Sequence, residues 1–148
     1  MTRAVIIGVG NRLRGDDAVG CLLIDELAGM SGATLFDTGS TPENYLEPVA
    51  RLKPERVLIA DACSFGGRPG EYRLFERAAV EELSCGLLST HTLPLSLTIE
   101  MLGRETGAGI SLLGVQPLQL EFGTDLSEPV RAALPGLAEF CRRWAASA

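Results

Sequence analysis

The chain has 148 residues, an apolar fraction of 46% and a formal net charge of −6. That length and composition suit a single globular domain over residues 1–148, burying roughly two-thirds of its unfolded surface. The acidic balance argues against nucleic acid, whose binders need clustered positive charge. No apolar run of about 18 residues and no basic-then-apolar leader marks the chain for a membrane or for export, so a cytoplasmic setting is expected.

The elements follow in order. Arg3-Ala4-Val5-Ile6-Ile7-Gly8 is a β-branched run ending at glycine, as expected of a strand buried on both faces of a parallel sheet. After a glycine-rich turn, Val19, Leu22, Leu23 and Leu27 fall near helical spacing, which predicts a helix over 18–30. Thr34 to Asp37 reads as a second strand. Thr41, as N-cap, and Pro42, at the first helical position, start a helix to about Leu52. Val57 to Asp61 is a third strand, apolar until it ends on an acid. Gly66 to Gly70 is a turn, and Glu71 to Phe75 alternates like an edge strand. Thr92-Leu93-Pro94 opens a helix to about Arg104, Ile110 to Val115 is another buried strand, and Leu118 to Phe122 alternates as a further one. Ser127-Glu128-Pro129 begins a closing helix with Leu134, Leu137 and Cys141 facing inward. Cys21, Cys63, Cys85 and Cys141 form no C-x-x-C pair and read as reduced, mostly buried thiols.

Strands alternating with helices imply an α/β fold with a mostly parallel, doubly covered sheet. Right-handed crossovers place the carboxyl ends of its parallel strands along one edge, where open α/β sheets build their sites. Three apolar strands lead to acids on that edge: Asp16-Asp17, Asp37 and Asp61. Burying a carboxylate costs several kcal/mol unless it is paired or bound to a cation, so the pattern needs a reason. A cation shared by the acids is one; caps and turns are another. Asp16 or Asp17 stands where a helix N-cap belongs, and Asp37-Thr38-Gly39 suits a turn in which the side chain bonds its own backbone.

His91 is the only histidine and lies in a polar loop ahead of a helix. A lone histidine excludes a three-histidine zinc site, but a mixed carboxylate–imidazole set is open to nickel, zinc, manganese or iron. The helix start favours the ionised form of Asp17, which suits a ligand better than a general acid. Gly8-Val9-Gly10-Asn11-Arg12-Leu13 after a strand suggests a dinucleotide fingerprint, but Leu13 replaces the third glycine and the paired acids would repel a pyrophosphate. Ser89, Thr90 and Cys63 stand in no recognisable nucleophile setting.

Five stretches taken together resemble the hydrogenase maturation endopeptidases: Gly8 to Asn11 with Gly15-Asp16-Asp17 and Gly20; Asp37-x-Gly39 with Pro42-Glu43-Asn44; Ile59 to Ala62 followed by Pro69-Gly70; Ser89-Thr90-His91 with Leu93-Pro94-Leu95; and Leu113 to Pro117. The resemblance runs in order from about residue 4 to 135. It implies a three-layer sandwich, with a mostly parallel twisted sheet of about five strands between helices. It also implies an endopeptidase that removes the C-terminal extension of a nickel–iron hydrogenase large-subunit precursor after nickel insertion. The family's metal-binding positions fall on Asp17, Asp61 and His91, and these become the expected catalytic and metal-binding residues. Asp16, Asp37 and Asn11 become their expected support.

Two mechanisms are open on this reading. In one, the three side chains engage nickel already seated in the precursor, so the metal is supplied by the substrate. In the other, Asp17 and Asp61 form an aspartyl protease dyad sharing a proton. Non-catalytic alternatives are a nickel-sensing or carrier module in hydrogenase assembly, and further off a nucleotide-binding domain. The expected partner is the precursor, with neither nucleic acid nor membrane insertion, and nothing in the sequence demands more than a monomer.

Overall fold

The strand at Ala4–Gly8 (β1) is buried along its whole length, as its unbroken apolar run predicts for a position inside a parallel sheet. The structure is a computed structural model and describes residues 3–82, 84–85 and 93–147. The remaining elements are α1 (Val19–Leu27), β2 (Thr34–Asp37), α2 (Leu46–Arg51), β3 (Arg56–Ser64), β4 (Tyr72–Glu76), β5 (Ser84–Cys85), α3 (Leu95–Thr106), β6 (Gly109–Val115) and α4 (Glu128–Ala146).

The main sheet has the order β2-β1-β3-β6-β4, and the two-residue β5 pairs with the end of β3. β1 runs parallel to β2 and β3, β3 runs parallel to β6, and only β4 and β5 are antiparallel to their neighbours. Strand alternation sorts the core into two layers. Ile6, Leu58 and Leu113 face α1 and α4, packing with Leu23, Leu27, Val130 and Leu137. Val5, Ile7, Ile59 and Leu112 face α2 and α3, packing with Val49, Ile99 and Leu102. The expected three-layer α/β sandwich with about five strands in its sheet is therefore what forms. Each fully buried leucine or isoleucine in these layers contributes about 1.5–3 kcal/mol.

Four expectations change. Leu118 to Phe122 is a loop rather than a strand. Pro117 ends β6, and the N–H groups of Leu118 and Gln119 bond the Asp16 carboxylate instead of a strand edge. The helices expected at 18 and 42 each begin with a turn of 3₁₀ helix, Gly15–Ala18 and Pro42–Tyr45, and neither Arg14 nor Thr41 gives a side-chain cap. Asp61 is not the last residue of its strand, because β3 continues to Ser64, where β5 supplies a partner. Finally, Cys63 is disulfide-bonded and lies opposite Cys85 in the β3–β5 register, so the expectation of four reduced thiols fails at Cys63. Cys21 and Cys141 are free and buried.

One close approach sets the site. A Cβ on Gly20, in the first turns of α1, would collide with the carbonyl oxygens of Val9 and Ala60. Only glycine lets this helix press so near the carboxyl ends of β1 and β3.

Candidate active site

Asp17 and Asp61 are held on the carboxyl edge of adjacent strands. Asp61 is fully buried on the central strand β3, next to Ala60, whose carbonyl accepts the N–H of Val9 at 2.9 Å. Its own Oδ1 accepts the N–H of Ala62 at 2.8 Å. Asp17, 2% exposed, lies in the 3₁₀ turn ahead of α1, the helix that Gly20 brings against Ala60. The backbone N–H of Asn11 donates to Asp17 Oδ2 at 3.1 Å, and its side-chain Oδ1 accepts the N–H of Leu13. Asn11 thus supports Asp17 through its main chain and shapes the turn through its side chain. His91 lies outside the described residues. Among the described residues, no group of three His, Cys, Asp or Glu side chains is placed to hold a metal ion.

The neighbouring acids divide the labour differently from the cap reading. Asp16 caps no helix of its own. Its buried carboxylate accepts from the N–H groups of Leu118 at 2.8 Å and Gln119 at 3.0 Å, and from the N–H and hydroxyl of Ser127 at 2.7 and 2.8 Å. Four donors are what a buried carboxylate needs to offset its lost hydration. The reason Asp16 is not a cap is geometric. It sits inside the 3₁₀ turn, facing the 118–127 loop, while Asp17 faces Asn11 in the loop that precedes the turn. Asp16 ties the turn to the 118–127 segment in place of the cap that the sequence offered.

Asp37 fulfils its turn role, with Oδ1 accepting the N–H of Gly39 at 3.2 Å. It also forms a contact that the sequence does not signal. Arg12 reaches Asp37 Oδ2 at 2.6 Å while its other amine bonds Asp25 at 2.7 Å. Arg12 holds the Asp25 carboxyl below the usual carboxylate range, chiefly by that hydrogen bond. Burial is the strongest single influence on Asp37 and would raise it, but the hydrogen bonds from Arg12, Cys21 and the Gly39 N–H, with the Arg12 charge, together leave the group lowered. This charge cluster closes one side of a cleft of about 450 Å³ between Asn11, Arg12, Cys21, Asp37, Thr38 and Tyr45. Burial pushes the Cys21 thiol far up, with Asp37 and Asp61 adding to the effect, so it stays protonated and is no nucleophile.

Gln116 was also missed as a site builder. Its Oε1 accepts the N–H groups of Phe65 at 2.8 Å and Gly67 at 3.1 Å, and its amide donates to Ser64 Oγ at 3.3 Å. It ties the end of β6 to the chain leaving β3, just beyond Asp61. The available signal was a glutamine directly after a buried strand and before Pro117. A polar residue there has backbone groups within reach on the same sheet edge.

Comparison with known proteins agrees with this architecture. The family model for hydrogenase maturation proteases matches residues 23–144. The chain is 32% identical over 142 residues to the hydrogenase 3 maturation protease of Escherichia coli K12, covering 95% of this chain and 89% of that protein. It superposes on the crystal structure of a [NiFe] hydrogenase maturation protease from Thermococcus kodakarensis with a TM-score of 0.82, at 33% identity over 99% of this chain and 94% of that one. For the solution structure of an Escherichia coli endopeptidase of the same kind the TM-score is 0.84, at 32% identity over 97% and 91%.

Proposed function

Since the chain belongs to the hydrogenase maturation protease family and is a peptidase, we propose that it removes the C-terminal extension of a nickel–iron hydrogenase large-subunit precursor once nickel is in place, engaging that nickel through Asp17, Asp61 and His91. One observation carries the reading: two nearly inaccessible carboxylates, Asp17 and Asp61, stand at the same sheet edge of a peptidase that has one histidine. Buried acids of this kind are retained where a cation or a proton must be handled.

The donor set fits nickel, which accepts carboxylate and imidazole together. On this reading the metal arrives with the precursor and polarises the scissile carbonyl or an attacking water. The chain's own residues orient it. Asn11 fixes the Asp17 carboxylate, the N–H of Ala62 fixes Asp61, and the Gly20 contact fixes the turn against the strand. A second reading makes Asp17 and Asp61 a proton-sharing dyad, with nickel used only for recognition. The burial of both carboxylates at one sheet edge, Asp17 in the turn after β1 and Asp61 on β3, is what favours it.

The deciding experiment mixes purified protein with nickel-loaded and nickel-free precursor and follows the large-subunit mass. Loss of the tail from the loaded form alone is expected. Tight binding of a loaded precursor that stays intact would leave a nickel-sensing or carrier module as the better account.

A further inference from the structure

Three large apolar side chains protrude further than any others among the described residues: Leu13, Leu118 and Phe122, at 59, 61 and 69% exposed. They lie on two segments distant in sequence but bonded to each other. Gly15 N–H donates to Thr124 O at 3.0 Å, Asp16 N–H to Gln119 O at 2.8 Å, and Gly123 N–H to Leu13 O at 2.6 Å. The Asp16 carboxylate adds its bonds to Leu118, Gln119 and Ser127. Gly15 adopts φ 53°, and a Cβ there would crowd Gln119 O and Thr124 Oγ1, so the two loops can come this close only over glycine. A single exposed leucine needs no explanation; three such side chains on one cross-linked pair of loops do.

We propose that this two-loop platform is the docking surface for the folded body of the hydrogenase large-subunit precursor, an inference that rests on the protease reading above. The loop that carries Leu13 also carries Asp17, so a substrate chain reaching Asp17 lies against the platform. The cleft beside Arg12 is too small to hold a folded protein, and a specific protein contact needs roughly 800 Å² on each partner with apolar anchors near its centre. Leu13, Leu118 and Phe122 supply such anchors on two loops hydrogen-bonded to each other, one of which leads straight into the turn of Asp17. A second copy of the chain seated there would cover the edge that bears Asp17 and shut out substrate.

The test measures binding of nickel-loaded precursor to full-length protein by surface plasmon resonance, with cleavage followed by mass on the same samples. Replacing all three residues (Leu13→Ser, Leu118→Ser, Phe122→Ser) should weaken binding by roughly 30-fold or more, as loss of interface anchors does. Leu52→Ser removes an exposed leucine by the amino ends of the strands and should bind within about twofold of wild type. Phe122→Ser alone serves if the triple variant melts early, and should cost roughly tenfold. Unchanged binding overturns the proposal. So does a wild-type dimer that the triple variant converts to monomer, since the platform would then be a self-interface. Precursor bound through the platform but left uncut sinks only the protease reading. Precursor cut and bound equally well by wild type and triple variant sinks only the docking surface.

Discussion

The carboxylate of Asp16 receives both the backbone N–H and the hydroxyl of Ser127, at 2.7 and 2.8 Å, joining the first turn of the chain to the N-cap of its last helix. A buried acid in this role should dominate local stability. Asp16→Ala leaves the N–H groups of Leu118, Gln119 and Ser127 without their acceptor, at about 3–5 kcal/mol. Ser127→Ala removes only the hydroxyl donor and should cost about 1–2 kcal/mol. Urea unfolding of both single variants and the double variant checks this. The double should fall short of the sum, because Ser127 has no Asp16 left to bond once the acid is gone.

The contrast between Asp16 and Asp17 also marks how far the sequence could be read. Buried strands announce themselves as apolar runs, so β1, β3 and β6 were legible, as was the edge where the acids Asp17, Asp37 and Asp61 lie. Neighbouring acids in one 3₁₀ turn are not told apart by spacing; only their partners, at Asn11 for one and at 118–127 for the other, separate them. Leu118 to Phe122 alternates like a strand, yet its first amides bond a side chain more than a hundred positions away. Arg12 sits in a loop without periodicity, and its pairing with Asp25 and Asp37 exists only once α1 and β2 are in place.

Gly20→Ala puts a methyl group where the carbonyls of Val9 and Ala60 stand. Backbone must shift, which should cost about 1–3 kcal/mol, the range for overpacking. The shift moves the turn of Asp17 away from β3, so cleavage should fall more than stability does. The expected result is a protein with a cooperative melt a few degrees below wild type and at least tenfold lower kcat/KM, since small misplacements of reacting groups are costly.

The Arg12 cluster gives a pH signature. Asp25 and Asp37 titrate lower in the folded chain than in the unfolded one, where carboxyls titrate near about 3.9. The folded state therefore binds fewer protons between those values. Its stabilisation is complete above about pH 5 and is lost as pH falls through the folded-state values. Arg12 is 44% exposed at its side chain, so solvent screening limits the gain to about 1 kcal/mol. Arg12→Met should be less stable than wild type by that amount at pH 7, and the two should converge as pH falls through the folded-state values of Asp25 and Asp37. Urea midpoints across this range test the sign. A gap that widened toward acid would show that the cluster does not stabilise the fold through these carboxylates.

The division between metal engagement and a proton-sharing dyad can be read from three substitutions. Asp17→Asn and Asp61→Asn should each lower cleavage of nickel-loaded precursor by at least about 100-fold on either mechanism, since each removes a ligand or half of the dyad. His91→Ala separates them. If the imidazole engages the substrate's nickel, cleavage falls by at least about 100-fold even at saturating precursor, because kcat depends on the metal being held at the scissile bond. If the two acids alone do the chemistry, His91→Ala raises KM and leaves kcat within about tenfold. Wild-type thermal stability in all three variants is needed for the comparison, with circular dichroism as the check. A His91→Ala protein that folds and retains kcat on bound precursor would move the chemistry from the nickel to the carboxylates of Asp17 and Asp61.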